Sequence, residues 1–191
     1  MARLPILTAE TAPEAAREGV TKAEKANGFV PNLIGLLANA PTALETYQTV
    51  SGINGRNSLT LAEREVVQIT AAAIHGCGFC VAGHTAVAYK KAGLNKDVVD
   101  ALRANAKVPD ARLDAVAAFT RAVIRSRGAV ENAELAAFKA AGFNDANALD
   151  VVLGVSLATL CNFANNLGQP DLNPQLQPYA WAGRPAAVAA E

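Results

Sequence analysis

Aromatic residues are scarce in this 191-residue chain: one Trp, three Tyr and six Phe make up 5% of it. Alanine is frequent instead, and small side chains let helix backbones approach closely. That balance argues for packed helices and against a sheet-based fold. Charge of one sign is missing too. Seventeen basic residues meet seventeen acidic ones with no run of either, so the chain carries no electrostatic footprint for DNA, RNA or an anionic membrane. The opening residues, Met-Ala-Arg-Leu-Pro-Ile-Leu-Thr, lack an apolar core of signal-peptide length, and Pro5 interrupts what there is. Export by that route is not expected. Three cysteines, two of them in a CxxC, are too few for a structural disulfide framework, which places the expected compartment in the cytoplasm. The stretch from Val66 to Tyr89 has no charge, yet its two His, two Thr, three Gly and one Gln argue against a membrane span.

What is present concentrates in one segment. Between Glu65 and His84 a carboxylate, two thiols (Cys77 and Cys80) and an imidazole sit among uncharged residues. If a helix begins near Cys77, then Cys80 and His84 follow on the same face, close enough for thiol and imidazole to touch. A cysteine in the first turn of a helix feels unpaired N–H groups and the positive end of the dipole, and a neighbouring imidazolium also favours the thiolate. By the dipole alone Cys77 is the more activated thiol. The segment reads as a redox or nucleophilic centre. Zinc is a competing reading with three ligands, Cys77, Cys80 and His84, and only Glu65 or His75 to complete the set.

With 51% hydrophobic residues the chain can bury a full core, as one domain of two packed halves spanning 1–191. Thr11-Ala-Pro-Glu14 reads as a capping box, opening a solvent-facing arm (1–27) that Asn27-Gly28 ends. Short apolar helices follow at Asn32 and Pro41, the second carrying Leu44, Tyr47, Val50 and Ile53 toward the core. Thr60-Leu-Ala-Glu63 is a second capping box, so Glu63 serves the helix end while Glu65 shares a face with Ile69, Ala72 and Ala73 and must find a partner or a proton. Beyond the cysteine helix, Asn95 caps a helix to about Arg103. Further helices run from Asp110 to about Arg127, Asn132 to Ala141 and Asn144 to Leu167. The count is roughly nine helices and no strand. Pro170, Pro174, Pro178 and Pro185 predict an extended tail (169–191), anchored by Tyr179 and Trp181 with the last alanines loose. His75 reads as structural and Cys161 as a core thiol. Asn162, Asn165 and Asn166 read as caps of neighbouring backbone or as a subunit contact.

Lys90-Lys-Ala-Gly-Leu-Asn95 is echoed by Lys139-Ala-Ala-Gly-Phe-Asn144. At that offset Glu65 falls on Asp114, Cys77 on Ser126, Cys80 on Ala129 and His84 on Ala133. A CxxC-bearing repeat (60–103) is thus followed by a second repeat (110–168) without the reactive groups.

The pattern Glu65-x11-Cys77-x2-Cys80-x3-His84, entered by Leu59-Thr-Leu-Ala-Glu-Arg-Glu65 and left by Lys90-Lys-Ala-Gly-Leu94, resembles the alkylhydroperoxidase D and carboxymuconolactone decarboxylase family. Gly28-Phe-Val-Pro-Asn32 and Asn162-Phe-Ala-Asn-Asn-Leu-Gly168 are similar to its peroxidase-related branch, so the likeness covers about residues 25–170. The resemblance implies an all-α, AhpD-like helical bundle with a duplicated motif, and a homo-oligomer, trimer or hexamer. It implies a peroxidase that reduces organic hydroperoxides, with Cys80 attacking the peroxide, Cys77 resolving the product as a disulfide, and Glu65 with His84 carrying the proton. Electrons then come from an external dithiol, a lipoyl-bearing adaptor or a thioredoxin-like protein, with no bound metal or organic cofactor. The best-known member has a second histidine between the cysteines where this chain has Phe79, which shortens the relay or shifts it to His75. Two other functions compete: a decarboxylase-like enzyme using Glu65 and His84 for acid–base chemistry, and a non-enzymatic oligomer that senses redox state through the thiols.

Overall fold

Helix boundaries in this chain fall at capping side chains (Thr60, Asp110, Asn144), at prolines (Pro13, Pro31, Pro41) and at positive-φ glycines (Gly28, Gly93, Gly142). The computed structural model describes residues 2–183 and holds nine α-helices and one 3-10 helix among them. The order is α1 (Glu14–Asn27), α2 (Asn32–Leu37), α3 (Pro41–Asn54), α4 (Leu61–Ile74), α5 (Gly78–Lys90), α6 (Lys96–Arg103), α7 (Ala111–Ser126), α8 (Asn132–Ala140) and α9 (Asp145–Gly168), then the 3-10 helix Pro174–Tyr179. The fold is all-α. Pro185 and the closing alanines lie outside the described residues.

Helix α4 is the axis of the molecule. Its Thr60 capping box is formed, Thr60 Oγ1 accepting from the Glu63 N–H and Glu63 from the Thr60 N–H, and Arg112 pairs with Glu63 at 2.7 Å. Beyond Glu65, α4 is buried almost throughout, in keeping with the absence of charge from Val66 to Ile74. Ala72 and Ala73 enter one apolar cluster with α1, α2 and α5; Val66, Val67 and Ile69 enter another with α6, α7 and α8. Helix α9 crosses both, giving Leu157 and Cys161 to the first and Val151 to the second. The second cluster is closed by stacked rings, Phe119 on Phe138 at 4.3 Å and Phe138 on Phe143 at 4.4 Å. The charge-free run from Val66 to Tyr89 is two helices, split at Gly76, whose φ of 68° suits a residue without a Cβ. Helix α9 is long and apolar enough to cross a membrane by length and composition, but here it is the core helix shared by both clusters.

The echoed stretches occupy equivalent places: each ends a helix, passes a positive-φ glycine (Gly93, Gly142) and leads into the next. In the second, Asp114 accepts from the Val108 N–H and lies 3.7 Å from Arg121, and Ser126 donates to the Ala122 carbonyl. Those side chains support backbone.

Several expectations are corrected. Thr11 does not cap α1: its hydroxyl accepts from the Thr8 N–H, and Pro13 precedes the helix with no side-chain cap. Nor is the arm solvent-facing, because Ala12, Ala16, Val20 and Ala23 are buried; alanines gave that face little apolar signal. Ile53, in the last turn of α3, is exposed to solvent rather than turned to the core. Asn95 precedes α6 without a side-chain cap. The tail is not extended throughout: its 3-10 helix packs on α5, and Arg103 fastens it through the carbonyls of Tyr179 and Ala180. Trp181 packs against the first cluster.

Candidate active site

The turn between α4 and α5 sets the reactive groups. His75 closes α4; its Nδ1 meets Asn162 Oδ1 at 3.0 Å, its carbonyl accepts from Asn166, and its ring sits edge-on to Phe163. Cys77 is the N-cap of α5, and its sulfur accepts the Cys80 N–H at 3.3 Å, one of the donors a helix start leaves unpaired. Cys80 therefore lies in the first turn, and Asn165 on α9 donates to its sulfur at 3.2 Å. One turn further, His84 Nδ1 meets Glu65 Oε2 at 2.8 Å. Glu65 is the acid α4 turns inward, with 8% of its side chain exposed, while His84 keeps 32%. The pair thus faces outward through the imidazole.

The two thiols have opposite acidities. Cys80 is drawn down to about 7, first by the hydrogen bond from Cys77; burial opposes this, and the His84 charge and the amides of Asn165 and Asn162 reinforce it. Cys77 is pushed far up by donating that bond, by burial and by the adjoining Cys80 charge. The direction is opposite to the one drawn from the helix dipole alone, since Asn165 and His84 favour an anion on the Cys80 side of the coupled pair. For His84, burial disfavours the imidazolium, but the charge and hydrogen bond of Glu65, with Cys80 nearby, hold it above the usual imidazole value.

Cys80 and His84 open onto a cavity of about 520 Å³ walled by α1, α2, α3, α4, α5, α9 and the tail. Cys77 faces a smaller cleft of about 170 Å³, and Phe79 lines both. Cys161 is not merely a core thiol: although buried, it stands on the wall of the larger cavity, where burial and then the Cys80 charge raise its pKa. Tyr47 lines the same cavity; burial, then Cys161 and Cys80, push its phenol up, so it remains a donor. Helical spacing marks Tyr47 only as a core residue, and nothing in the sequence marks Gln68 or Leu157 as cavity lining. The three asparagines were visible only as polar residues at helical spacing in an apolar helix, and the structure sets Asn162 and Asn165 against the site. Among the described residues no group of three or more His, Cys, Asp or Glu side chains is placed to hold a metal ion.

A model of the carboxymuconolactone decarboxylase family matches residues 40–141, more than half of the chain. The chain belongs to that family. Among solved structures it is similar to an AhpD-core, peroxidase-related protein from Ralstonia eutropha JMP134, with 25% identity over 92% of this chain and 94% of that one, at a TM-score of 0.81. A peroxidase-related protein from Silicibacter sp. TM1040 shares the fold at 20% identity, covering 91% and 92% of the two chains, at a TM-score of 0.76. The debrominase Bmp8, in complex with 2,3,4-tribromopyrrole, shares it at 13% identity, with 93% and 95% covered and a TM-score of 0.75. No curated protein matches. One AhpD-like fold thus carries more than one chemistry, and the site of this family member must decide its own.

Proposed function

We propose that this protein is a thiol peroxidase that reduces organic hydroperoxides through Cys77 and Cys80. The observation that carries the reading is the placing of Cys80 in the first turn of α5, its sulfur accepting from Asn165 and opening onto a cavity beside the Glu65–His84 pair, surroundings that favour its thiolate. A thiolate populated at neutral pH is the attacking form. Its sulfur attacks the distal oxygen of ROOH; the S–O bond forms, the O–O bond breaks, and the alkoxide takes a proton from the imidazolium of His84. With Nδ1 held by Glu65, Nε2 is the ring nitrogen left for that transfer. Cys77 then attacks the sulfenic sulfur, and its own proton leaves with the hydroxide as water. The products are ROH, water and a Cys77–Cys80 disulfide, which an external dithiol, lipoyl-bearing or thioredoxin-like, returns to two thiols.

Phe79 in place of a second histidine leaves Glu65 and His84 as the relay, since His75 is tied to Asn162 and lies off the cavity. The cytoplasm, where such dithiols are kept reduced, is the proposed compartment. The test is steady-state reduction of cumene hydroperoxide with dihydrolipoamide by the wild type, Cys77→Ser and Cys80→Ser. Turnover should vanish in both variants. Turnover that survives in both overturns the cycle and returns the site to acid–base chemistry by Glu65 and His84.

A further inference from the structure

The cavity beside Cys80 carries two lysines at the end away from the thiol. Helix α5 supplies one wall, where Cys80, Gly83, His84, Val87, Lys90 and Lys91 follow one another at helical spacing. Cys80 and Lys90 are ten residues apart in α5, about 15 Å between their backbone positions along the axis at 1.5 Å per residue, and Lys91 follows at the helix end. Phe29, Leu33, Ile34 and Leu157 give the lining apolar surface, and Tyr47 and Gln68 are among its uncharged polar groups. No Asp or Glu lines the cavity among the described residues. Neither lysine has an ion pair among them, and both side chains are exposed. Lys90 Nζ lies 5.4 Å from the centre of the Tyr179 ring, a contact that orients the ammonium without neutralising it.

In a chain whose formal charge sums to zero, two unpaired lysines at the mouth of an apolar cavity form a local attraction for anions. An ammonium on a flexible stem pairs with a carboxylate from many angles while its methylenes extend the apolar wall. We propose that the cavity takes an amphipathic anion: a hydroperoxide of a fatty acid, its carboxylate held by Lys90 and Lys91 and its chain laid along α5 toward Cys80. The hydroperoxide part rests on the peroxidase reading above; the anion part rests on the cavity.

The two parts separate by experiment. Calorimetric titration of the reduced protein with decanoate and 1-decanol should show decanoate binding about tenfold tighter, with that margin falling as salt rises. Lys90→Gln/Lys91→Gln should weaken decanoate about five- to tenfold and leave 1-decanol unchanged, and Lys90→Arg/Lys91→Arg should restore it. In turnover, linoleic acid hydroperoxide should exceed its methyl ester in kcat/KM through a lower KM, and the double Gln variant should erase that preference. Equal binding of decanoate and 1-decanol by the wild type overturns the anion site, even where both hydroperoxides are reduced. Equal weakening of both ligands in the Gln variant also overturns it, because the lysines then only hold the tail against α5. Selective decanoate binding with neither hydroperoxide reduced overturns the peroxidase reading and upholds the anion site.

Discussion

Cys77 and Cys80 stand one helical turn apart and share a hydrogen bond, so their acidities cannot be set independently. The Cys77 donor lowers Cys80 and, by the same bond, raises itself; His84 and the α9 amides favour the anion on the Cys80 side. Alkylation by iodoacetamide should therefore be confined to Cys80 near neutrality, its rate rising as pH passes about 7 and then levelling, with Cys161 slow throughout. Glu65→Gln should shift this dependence upward in pH. Glu65 raises His84, so its neutral replacement lowers the imidazolium fraction at pH 7, takes a cation from Cys80 and moves the profile to higher pH. Alkylation at pH 6 should slow about three- to tenfold. An unchanged profile sinks the coupling. At this scale the motif residues were legible because reactive side chains stand out in an uncharged run. Asn165 and Tyr47 were not, because a buried amide or phenol looks like any other polar residue until its neighbour is known.

Elements were legible where a side chain closes a local ring of hydrogen bonds. Thr60 with Glu63 and Asn144 with Asn147 do so, and the helices they open begin as expected from Thr60 and Asn144. Thr11 and Asn95 carry the same side-chain chemistry but do not cap: Thr11 is taken by Thr8, and Asn95 has no side-chain bond to α6. Local sequence does not encode which competing bond wins. The α4–α9 crossing was equally hidden. A Cβ built at Gly154 would stand 2.9 Å from Val67 Cγ1, inside contact distance of a side chain buried in the core. Gly154→Ala should therefore cost about 1–3 kcal/mol through overpacking. Differential scanning calorimetry should show Tm lowered by several degrees, and a Tm at or above wild type contradicts so close a crossing.

At the scale of the molecule, helix count and fold class followed from periodicity and punctuation, whereas the cavity did not. Its walls come from both ends of the chain, Ala23 in α1 and Leu176 in the tail, and no local pattern joins residues so far apart. The outer face of α9 raises a further question of assembly. Leu149, Val152, Phe163 and Leu167 are all exposed there, an apolar stripe that water contacts in the single chain. We propose that the trimer or hexamer implied by the family resemblance covers it. Light scattering after size exclusion should give a multiple of three chains for the wild type and smaller species for Leu149→Glu/Leu167→Glu. A monomeric wild type contradicts the assembly and leaves the site unchanged.

The cycle itself is tested most directly by the mass of the protein after thiol alkylation, metal-free, before and after one equivalent of cumene hydroperoxide. Three labels should be taken up under denaturing conditions before peroxide and one after it, with peptide mapping placing the remaining label on Cys161 and a disulfide between Cys77 and Cys80. Three labels after peroxide as before would mean that the pair does not react with hydroperoxide, contradicting the proposed function at its central step.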